Sequence, residues 1–213
     1  TPETPLDIII TDHHLPPAKE ELSKLAYGII DPHQEDCNYP FPHISGSFVA
    51  LKCIEALLDC GYKFFKGPSF AMFGNVVNQE TTYNELQDIA VVGTIADVMP
   101  IVDENKLLAQ STLPRFSVSS NLAIRKWTSA IQSRSYSAIA SSDTDIVGFW
   151  IGPRINAANR VWQHTTPLAM LLSDNVKEVE SLCDLVENLN NQRKLLAGRH
   201  KKNSLEYVYA NNL

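Results

Sequence analysis

Residues 8–17 read Ile-Ile-Ile-Thr-Asp-His-His-Leu-Pro-Pro, an apolar run that ends directly in one acid and two imidazoles. The run predicts a buried strand, and Asp12, His13 and His14 then stand at its carboxyl end, where open α/β sheets place their ligands. Unpaired polar groups in an apolar setting cost about 1–3 kcal/mol each, and a metal ion or a phosphate would satisfy them. A surface loop with two incidental histidines is the alternative interpretation.

A second candidate position lies in the almost uncharged segment 86–100. There Asp97 stands alone among Ile95, Ala96, Val98 and Met99. A carboxylate in such surroundings predicts a cation as its partner. The alternative is a turn or helix-capping aspartate just ahead of a proline.

Residues 152–160, Gly-Pro-Arg-Ile-Asn-Ala-Ala-Asn-Arg, form the third candidate segment. Arg154, Asn156 and Arg160 fall within two helical turns beside small residues. Small side chains let a backbone approach a ligand closely, and arginine offers a planar fork suited to phosphate. A helix N-terminus with solvated arginines would show the same pattern.

Composition predicts a globular chain of one domain with an appended helix. The 213 residues are 44% hydrophobic and 20% charged, which is enough for a sizeable core. No apolar run reaches the roughly 18 residues of a membrane span, and the first residues have no signal-peptide pattern. Four cysteines without C-x-x-C spacing indicate buried free thiols. We therefore expect a cytoplasmic protein with no membrane partner.

The net charge of −6 argues against a broad nucleic-acid-binding face, because non-specific affinity for nucleic acids comes largely from Lys and Arg. The charge is uneven, however. A basic C-terminal segment either lines a groove for a nucleic-acid strand or is the solvated face of a helix. Its residues are Arg193, Lys194, Arg199, His200, Lys201 and Lys202.

Periodicity gives the order of the elements. Residues 6–10 and 27–30 read as short buried strands joined by a helix over 16–25, a β-α-β unit with parallel strands. An apolar stripe predicts a long helix from Asn175 onward, whereas residues 61–82 are ambiguous. Further helices are predicted over 45–58, 85–92, 106–115 and 122–131, with a loop over 133–142.

Taken together, the candidate segments resemble successive motifs of the DHH phosphoesterases, specifically the RecJ-type single-stranded-DNA exonucleases. The likeness extends to about residue 194. Its motifs are T-D-H-H at 11–14, C-N-Y-P-F at 37–41, I-S-G-S-F-V-A at 44–50, V-G-T-I-A-D-V-M-P at 92–100 and G-P-R-I-N-A-A-N-R at 152–160. One departure is Asn159, which stands where the family has a glycine.

The resemblance implies an α/β fold, a DHH-type domain with a parallel-sheet core flanked by helices and followed by a long linking helix. Residues 1–174 would be the C-terminal portion of the catalytic domain. Residues 175–213 would be the interdomain helix and the start of a second domain. The family's paired aspartates, which belong upstream of Thr11, have no counterpart in residues 1–7. We therefore expect a fragment, a split polypeptide or a truncated gene product whose N-terminal DHH segment is supplied in cis or in trans.

The mechanism implied by the resemblance is metal-assisted phosphodiester hydrolysis with two divalent ions. Mixed carboxylate and imidazole ligands suit Mn²⁺ or Mg²⁺. By the resemblance, His13 and Asp97 would be metal ligands, Asp12 would ligate or orient a ligand, and His14 would face the scissile phosphate. A phosphate of the single-stranded DNA would be held by Arg154, Asn156 and Arg160.

Three functions remain open at this point. The first is part of the catalytic core of a RecJ-like 5′-to-3′ exonuclease of DNA repair and recombination. The second is a DHH phosphodiesterase acting on short oligonucleotides or cyclic dinucleotides. The third is a degenerate module that binds nucleic acid or a replication partner without hydrolysis. Intact His13, His14 and Asp97 favour an enzyme.

Overall fold

Two short parallel strands follow one another at the start of the chain. β1 (Ile9–Thr11) pairs with β2 (Gly28–Ile30), and Thr11 lies opposite Ile30. The parallel pairing predicted from the sequence is confirmed. The predicted burial is wrong, since Ile9 is 61% exposed; two strands alone are too small a sheet to cover both of their faces. The predicted connecting helix falls mostly on residues 17–25, which lie outside the described residues.

The structure, a computed structural model, describes residues 6–16, 26–63, 65–66, 75–76, 79–133, 143–160 and 165–211. These residues fall into two units, Thr1–Arg115 and Phe116–Leu213. The long C-terminal helix belongs to the second unit because it packs on other helices of that unit. The assignment of residues 1–174 to a catalytic domain of a longer protein stays a prediction.

Helices dominate the first unit. The helices predicted over 45–58 and 106–115 are shifted by one and three residues, and the helix predicted over 85–92 is ten residues longer than predicted. Ser45 begins the first helix as its N-cap, and its Oγ accepts a hydrogen bond from the Phe48 N–H at 3.2 Å. The core is formed where apolar side chains of successive helices meet, among them Val49, Val91 and Leu108. The elements are α1 (Gly46–Asp59), the antiparallel pair β3 (Phe65–Lys66) and β4 (Asn75–Val76), α2 (Gln79–Ala96) and α3 (Asp103–Thr112).

The chain passes from the first unit to the second within a 3₁₀ helix, Leu113–Val118. The regular elements described in the second unit are all helical. A single turn, Asp143–Asp145, leads into a π-helical segment, Ile146–Ile151, which continues directly into the helix of the arginine motif. The longer helices are α4 (Leu122–Ser133), α5 (Gly152–Arg160), α6 (Thr166–Leu172) and α7 (Val176–Ala210). The loop predicted over 133–142 lies almost entirely outside the described residues.

The 35 residues of α7 confirm the long helix predicted from Asn175 onward. At about 1.5 Å per residue it is about 50 Å long. Its N-terminal part buries Val179, Val186 and Leu189. After Asn190, every described residue of the helix except Arg193 is exposed.

The four cysteines are free thiols, as predicted. Their predicted burial holds for Cys183, where desolvation raises the thiol pKa to about 11, but Cys37 and Cys60 are exposed. None of the helices in the described ranges combines the length and hydropathy that a membrane span requires.

Candidate metal centre

The carboxyl end of β1 gathers one carboxylate and two imidazoles. The Asp12 N–H still donates to the Ile30 carbonyl at 3.0 Å, so the strand pairing continues to this residue. The chain then turns, and Asp12 Oδ1 accepts a hydrogen bond from the His13 N–H at 2.7 Å. One donor atom from each of Asp12, His13 and His14 lies within 4.8 Å of the others. Contiguity in sequence and a local turn are therefore enough to form this cluster.

Asp97 reaches the same cluster from the end of α2. Its Oδ2 lies 3.2 Å from His13 Nε2, with 11% of the histidine side chain and 48% of the aspartate side chain exposed. The helix ends here because Val98 adopts a left-handed conformation, with φ of 59°. Such a conformation is strained for a β-branched residue. Asp97 therefore lies at a turn, as one interpretation of the sequence predicted. Its carboxylate also faces His13, which a turn alone does not require.

A hydrogen bond couples Asp12 to His14. His14 Nδ1 lies 2.8 Å from Asp12 Oδ1, and the His14 side chain is 74% exposed. The hydrogen bond to His14 lowers the pKa of Asp12, with help from the His13 N–H. The same bond raises the pKa of His14, and the charges of Asp12, Asp97 and Asp31 add to the effect. The pair therefore favours a carboxylate beside an imidazolium.

We expect the pKa of His14 in the metal-free protein to lie above 6.5 and to fall toward 6.5 in Asp12→Asn. The raised His14 pKa contributes stability that is present below about pH 6.5 and lost as pH rises through the folded value. The lowered Asp12 pKa contributes stability that is present above about pH 3.8 and lost as pH falls through its folded value. The imidazole resonances of His14, followed by NMR across this range in both proteins, measure the effect. A wild-type pKa at or below 6.5 would contradict the hydrogen bond.

The donor set fits a divalent cation. Carboxylate oxygens and imidazole nitrogens are ligands that Mn²⁺ accepts, and carboxylates suit Mg²⁺ as well. Asp12, His13 and His14 lie close enough together to share one ion, and Asp97 faces His13. A carboxylate that hydrogen-bonds a histidine, as Asp12 does, fixes the orientation of the ring.

Asp31 and its neighbour His33 were not predicted from the sequence. Asp31 follows β2 as Asp12 follows β1, so both lie at the same edge of the parallel pair. Its buried Oδ1 accepts a hydrogen bond from the His33 N–H at 2.8 Å, and His33 Nδ1 lies 3.7 Å away. The signal was available, because an acid directly after the second parallel strand must lie near an acid after the first.

The arginine motif lies in the second unit, and its three polar side chains have different environments. Arg154 is buried, and Asn156 and Arg160 are exposed. The Arg154 guanidinium makes two hydrogen bonds to Glu187, at 2.5 and 3.1 Å, and donates a third to the Trp150 carbonyl at 2.9 Å. It also lies 4.9 Å from the Trp150 ring centroid. A carboxylate therefore occupies the planar fork that the sequence assigns to phosphate.

Sequence comparison finds relatives in one class of nuclease, although no family profile matches the chain. The chain is 32% identical over 206 residues to the single-stranded-DNA-specific exonuclease RecJ of Bacillus subtilis, covering 97% of this chain and 23% of that protein. It is 31% identical over 189 residues to RecJ of Escherichia coli, covering 89% and 31%. The chain therefore spans between about a quarter and a third of the length of these relatives.

Comparison with solved structures gives the same class. The fold matches the crystal structure of exonuclease RecJ bound to manganese with a TM-score of 0.74 and 26% identity, over 96% of this chain and 46% of that chain. It matches RecJ of Thermus thermophilus in complex with Mn²⁺ with a TM-score of 0.69 and 26% identity, over 93% and 26%. The predicted α/β fold with a long C-terminal helix is confirmed.

Proposed function

We propose a function from the premise that, in sequence and in fold, the chain corresponds to a segment of the RecJ-type DHH phosphoesterases. In this proposal it forms part of the catalytic core of a 5′-to-3′ single-stranded-DNA exonuclease. The observation that carries the proposal is the approach of His13 Nε2 to Asp97 Oδ2 at 3.2 Å. Two segments far apart in sequence thereby bring metal-ligating atoms together. The similar RecJ structures contain manganese, which supports a divalent cation as the cofactor.

We assign His13 and Asp97 to the metal as ligands. His13 ligates as the neutral imidazole through Nε2, the atom that faces Asp97. Asp12 accepts hydrogen bonds from the His13 backbone N–H and from the His14 ring. It therefore acts as a third ligand or as the group that orients the two histidines. When bound, the divalent ions lower the pKa of a water and neutralise charge that builds on the phosphoryl oxygens.

His14 is the group of the cluster best placed to meet substrate, because it is the most exposed of the three. Asp12 accepts from its Nδ1–H, which leaves Nε2 for the substrate. The carboxylate favours the imidazolium form, in which both ring nitrogens carry protons. In that form Nε2–H donates to a non-bridging oxygen of the scissile phosphate.

A phosphate of the bound strand requires cationic and amide donors. Asn156 and Arg160 are exposed and separated by four residues on α5, so they share one face of the helix. We assign phosphate binding to this pair. Arg154 also stays assigned to phosphate, with the requirement that Glu187 release its guanidinium.

The remaining metal ligands would come in this proposal from a segment with paired aspartates, supplied in cis or in trans. Asp12, His13 and Asp97 alone would offer too few ligand atoms for two divalent ions. The chain spans at most 31% of the two curated relatives described above. The substrate is proposed from the names of those relatives, and the 5′-to-3′ polarity from the resemblance of the sequence motifs.

The test is Mn²⁺-dependent degradation of end-labelled single-stranded DNA. The complete protein is here this chain together with the segment that bears the paired aspartates. We expect it to release label early as mononucleotide from a 5′-labelled strand and to shorten a 3′-labelled strand progressively. We expect the 213-residue chain alone to be inactive and to gain activity when mixed with a segment bearing the paired aspartates.

Matched substrates separate the alternatives. Turnover of cyclic dinucleotides without turnover of DNA would indicate a small-molecule phosphodiesterase. Binding of DNA without hydrolysis by any of these proteins would indicate a non-catalytic module. Activity of the chain alone would contradict the need for ligands from a second segment.

A further inference from the structure

We propose that Gly46 and Gly93 are positioning residues that set the distance between His13 and Asp97. The proposal rests on the proposed metal-dependent function and extends it to two residues that carry no ligand atom. These glycines lie where α1 meets the two ligand-bearing segments, one beside His13 and the other one helical turn before Asp97. At both places a side chain would enter occupied space.

The first contact is between His13 and the start of α1. A Cβ atom at Gly46 would lie 3.3 Å from His13 Cδ2 and 3.9 Å from His13 Nε2. The imidazole therefore lies beside the first residue of α1, in the place where a side chain at Gly46 would crowd it. A methyl group at this place would push the ring by a few tenths of an ångström. The position of His13 thus depends on the position of the α1 N-terminus.

The second contact is between α1 and α2. A Cβ atom at Gly93 would lie 2.1 Å from Ser47 Oγ and 2.8 Å from Ser47 Cβ. The two helices can approach this closely only because Gly93 has no side chain. The Asp97 N–H donates to the Gly93 carbonyl at 2.9 Å, so any shift of α2 at Gly93 moves the Asp97 backbone.

Buried hydroxyl groups hold the two helices at this separation. Ser45 Oγ lies 2.9 Å from both Ser47 Oγ and Thr94 Oγ1. Ser47 and Thr94 each donate to the Ala90 carbonyl, at 3.1 and 2.9 Å. Ser45 and Thr94 are buried, so separating the helices would break the Ser45–Thr94 and Ser47–Ala90 hydrogen bonds that connect α1 to α2.

These contacts connect the two proposed ligands through a continuous series of neighbouring residues. The path runs from His13 to Gly46 and Ser47, across to Gly93, and along α2 to Asp97. Metal–ligand distances normally fall within about 0.2 Å of their standard values. A displacement of α1 against α2 by a few tenths of an ångström is therefore large enough to disturb the separation of the two proposed ligands.

The experiment compares Mn²⁺ affinity among glycine variants of the complete protein, measured from the EPR signal of free Mn²⁺, with thermal unfolding recorded in parallel. We expect Gly93→Ala to weaken Mn²⁺ binding about tenfold, as changes to residues supporting metal ligands do. Gly46→Ala should give a smaller loss of the same kind. Ser47→Gly combined with Gly93→Ala removes both clashing atoms and should restore most of the lost affinity.

Gly198→Ala is the matched control. Its Cβ would meet nothing within 4 Å on α7, so the same substitution should leave Mn²⁺ affinity unchanged. Its unfolding temperature should stay level or rise, because alanine is the better helix former.

The possible outcomes separate the two proposals. A wild-type protein that does not bind Mn²⁺ would overturn the proposed function and the positioning role with it. A wild-type protein that binds Mn²⁺, alongside a folded Gly93→Ala that binds it equally well, would overturn the positioning role alone. If Gly93→Ala does not fold, Gly46→Ala decides the question, since unchanged affinity in that variant contradicts the path through α1.

Discussion

Replacing Asp97 with Asn, or His13 with Ala, should lower Mn²⁺-dependent hydrolysis of single-stranded DNA by the complete protein at least about a hundredfold, or about 3 kcal/mol in activation free energy. The two side chains approach to 3.2 Å; His13→Ala removes one proposed ligand atom, and Asp97→Asn removes the negative charge of the other proposed ligand. The asparagine keeps the shape of the aspartate but carries no charge, so the loss reports on the metal. The measurement is kcat/KM at saturating Mn²⁺, together with Mn²⁺ affinity.

Asp59→Asn serves as the control for the charge change. Asp59 is exposed at the last residue of α1, about 20 Å along the helix from the end that contacts His13. Its replacement should leave kcat/KM within about twofold, because Asp59 is far from the proposed metal ligands. The free energy of unfolding should also change by less than about 0.5 kcal/mol, as is usual for an exposed substitution. Full Mn²⁺-dependent turnover in either ligand variant would show that the site is wrongly assigned.

Arg154→Ala should lower the free energy of unfolding by about 2–3 kcal/mol. Breaking a buried ion pair costs about 3–5 kcal/mol because it strands the partner charge. The figure is reduced here because 32% of the Glu187 side chain is exposed, against 9% for Arg154, and solvent screens the stranded carboxylate. The lost bond to the Trp150 carbonyl adds to the cost. Urea unfolding followed by tryptophan fluorescence measures this difference.

Arg160→Ala provides the comparison on the same helix. Arg160 is exposed, so its removal should change the free energy of unfolding by less than about 0.5 kcal/mol. A double-mutant cycle between Arg154 and Glu187 gives the coupling energy of the pair directly. If Arg154→Ala kept full stability and raised only the KM for DNA, phosphate binding rather than helix packing would be the main role of Arg154.

The parts of the site that are local in sequence could be predicted from sequence. Asp12, His13 and His14 are contiguous, so one turn brings their side chains together. Asp97 was found by its contrast with apolar neighbours, but its approach to His13 depends on helix packing through Gly93, which no short pattern encodes. Asp31 was missed because an isolated acid before a proline is also the ordinary pattern of a turn.

Burial was the least predictable property. The apolar run before Asp12 is typical of a buried strand, yet Ile9 is largely exposed, because burial depends on what covers a sheet and not on the strand alone. Arg154 shows the converse. Its motif indicated a ligand-binding arginine, and its carboxylate partner Glu187 lies on a different helix.

The π-helical segment Ile146–Ile151 has a consequence for how the arginine motif can vary. π-Helical bonding runs from residue i to i+5, so each such turn holds one more residue than an α-helical turn. Restoring α-helical bonding there without removing a residue would rotate α5 by about 100° relative to the preceding turn. The unchanged motif would then present a different face, and Arg154 would leave Glu187. The angular phase of the motif is thus set by the π-helical bonding of the segment before it, independently of the letters Gly-Pro-Arg themselves.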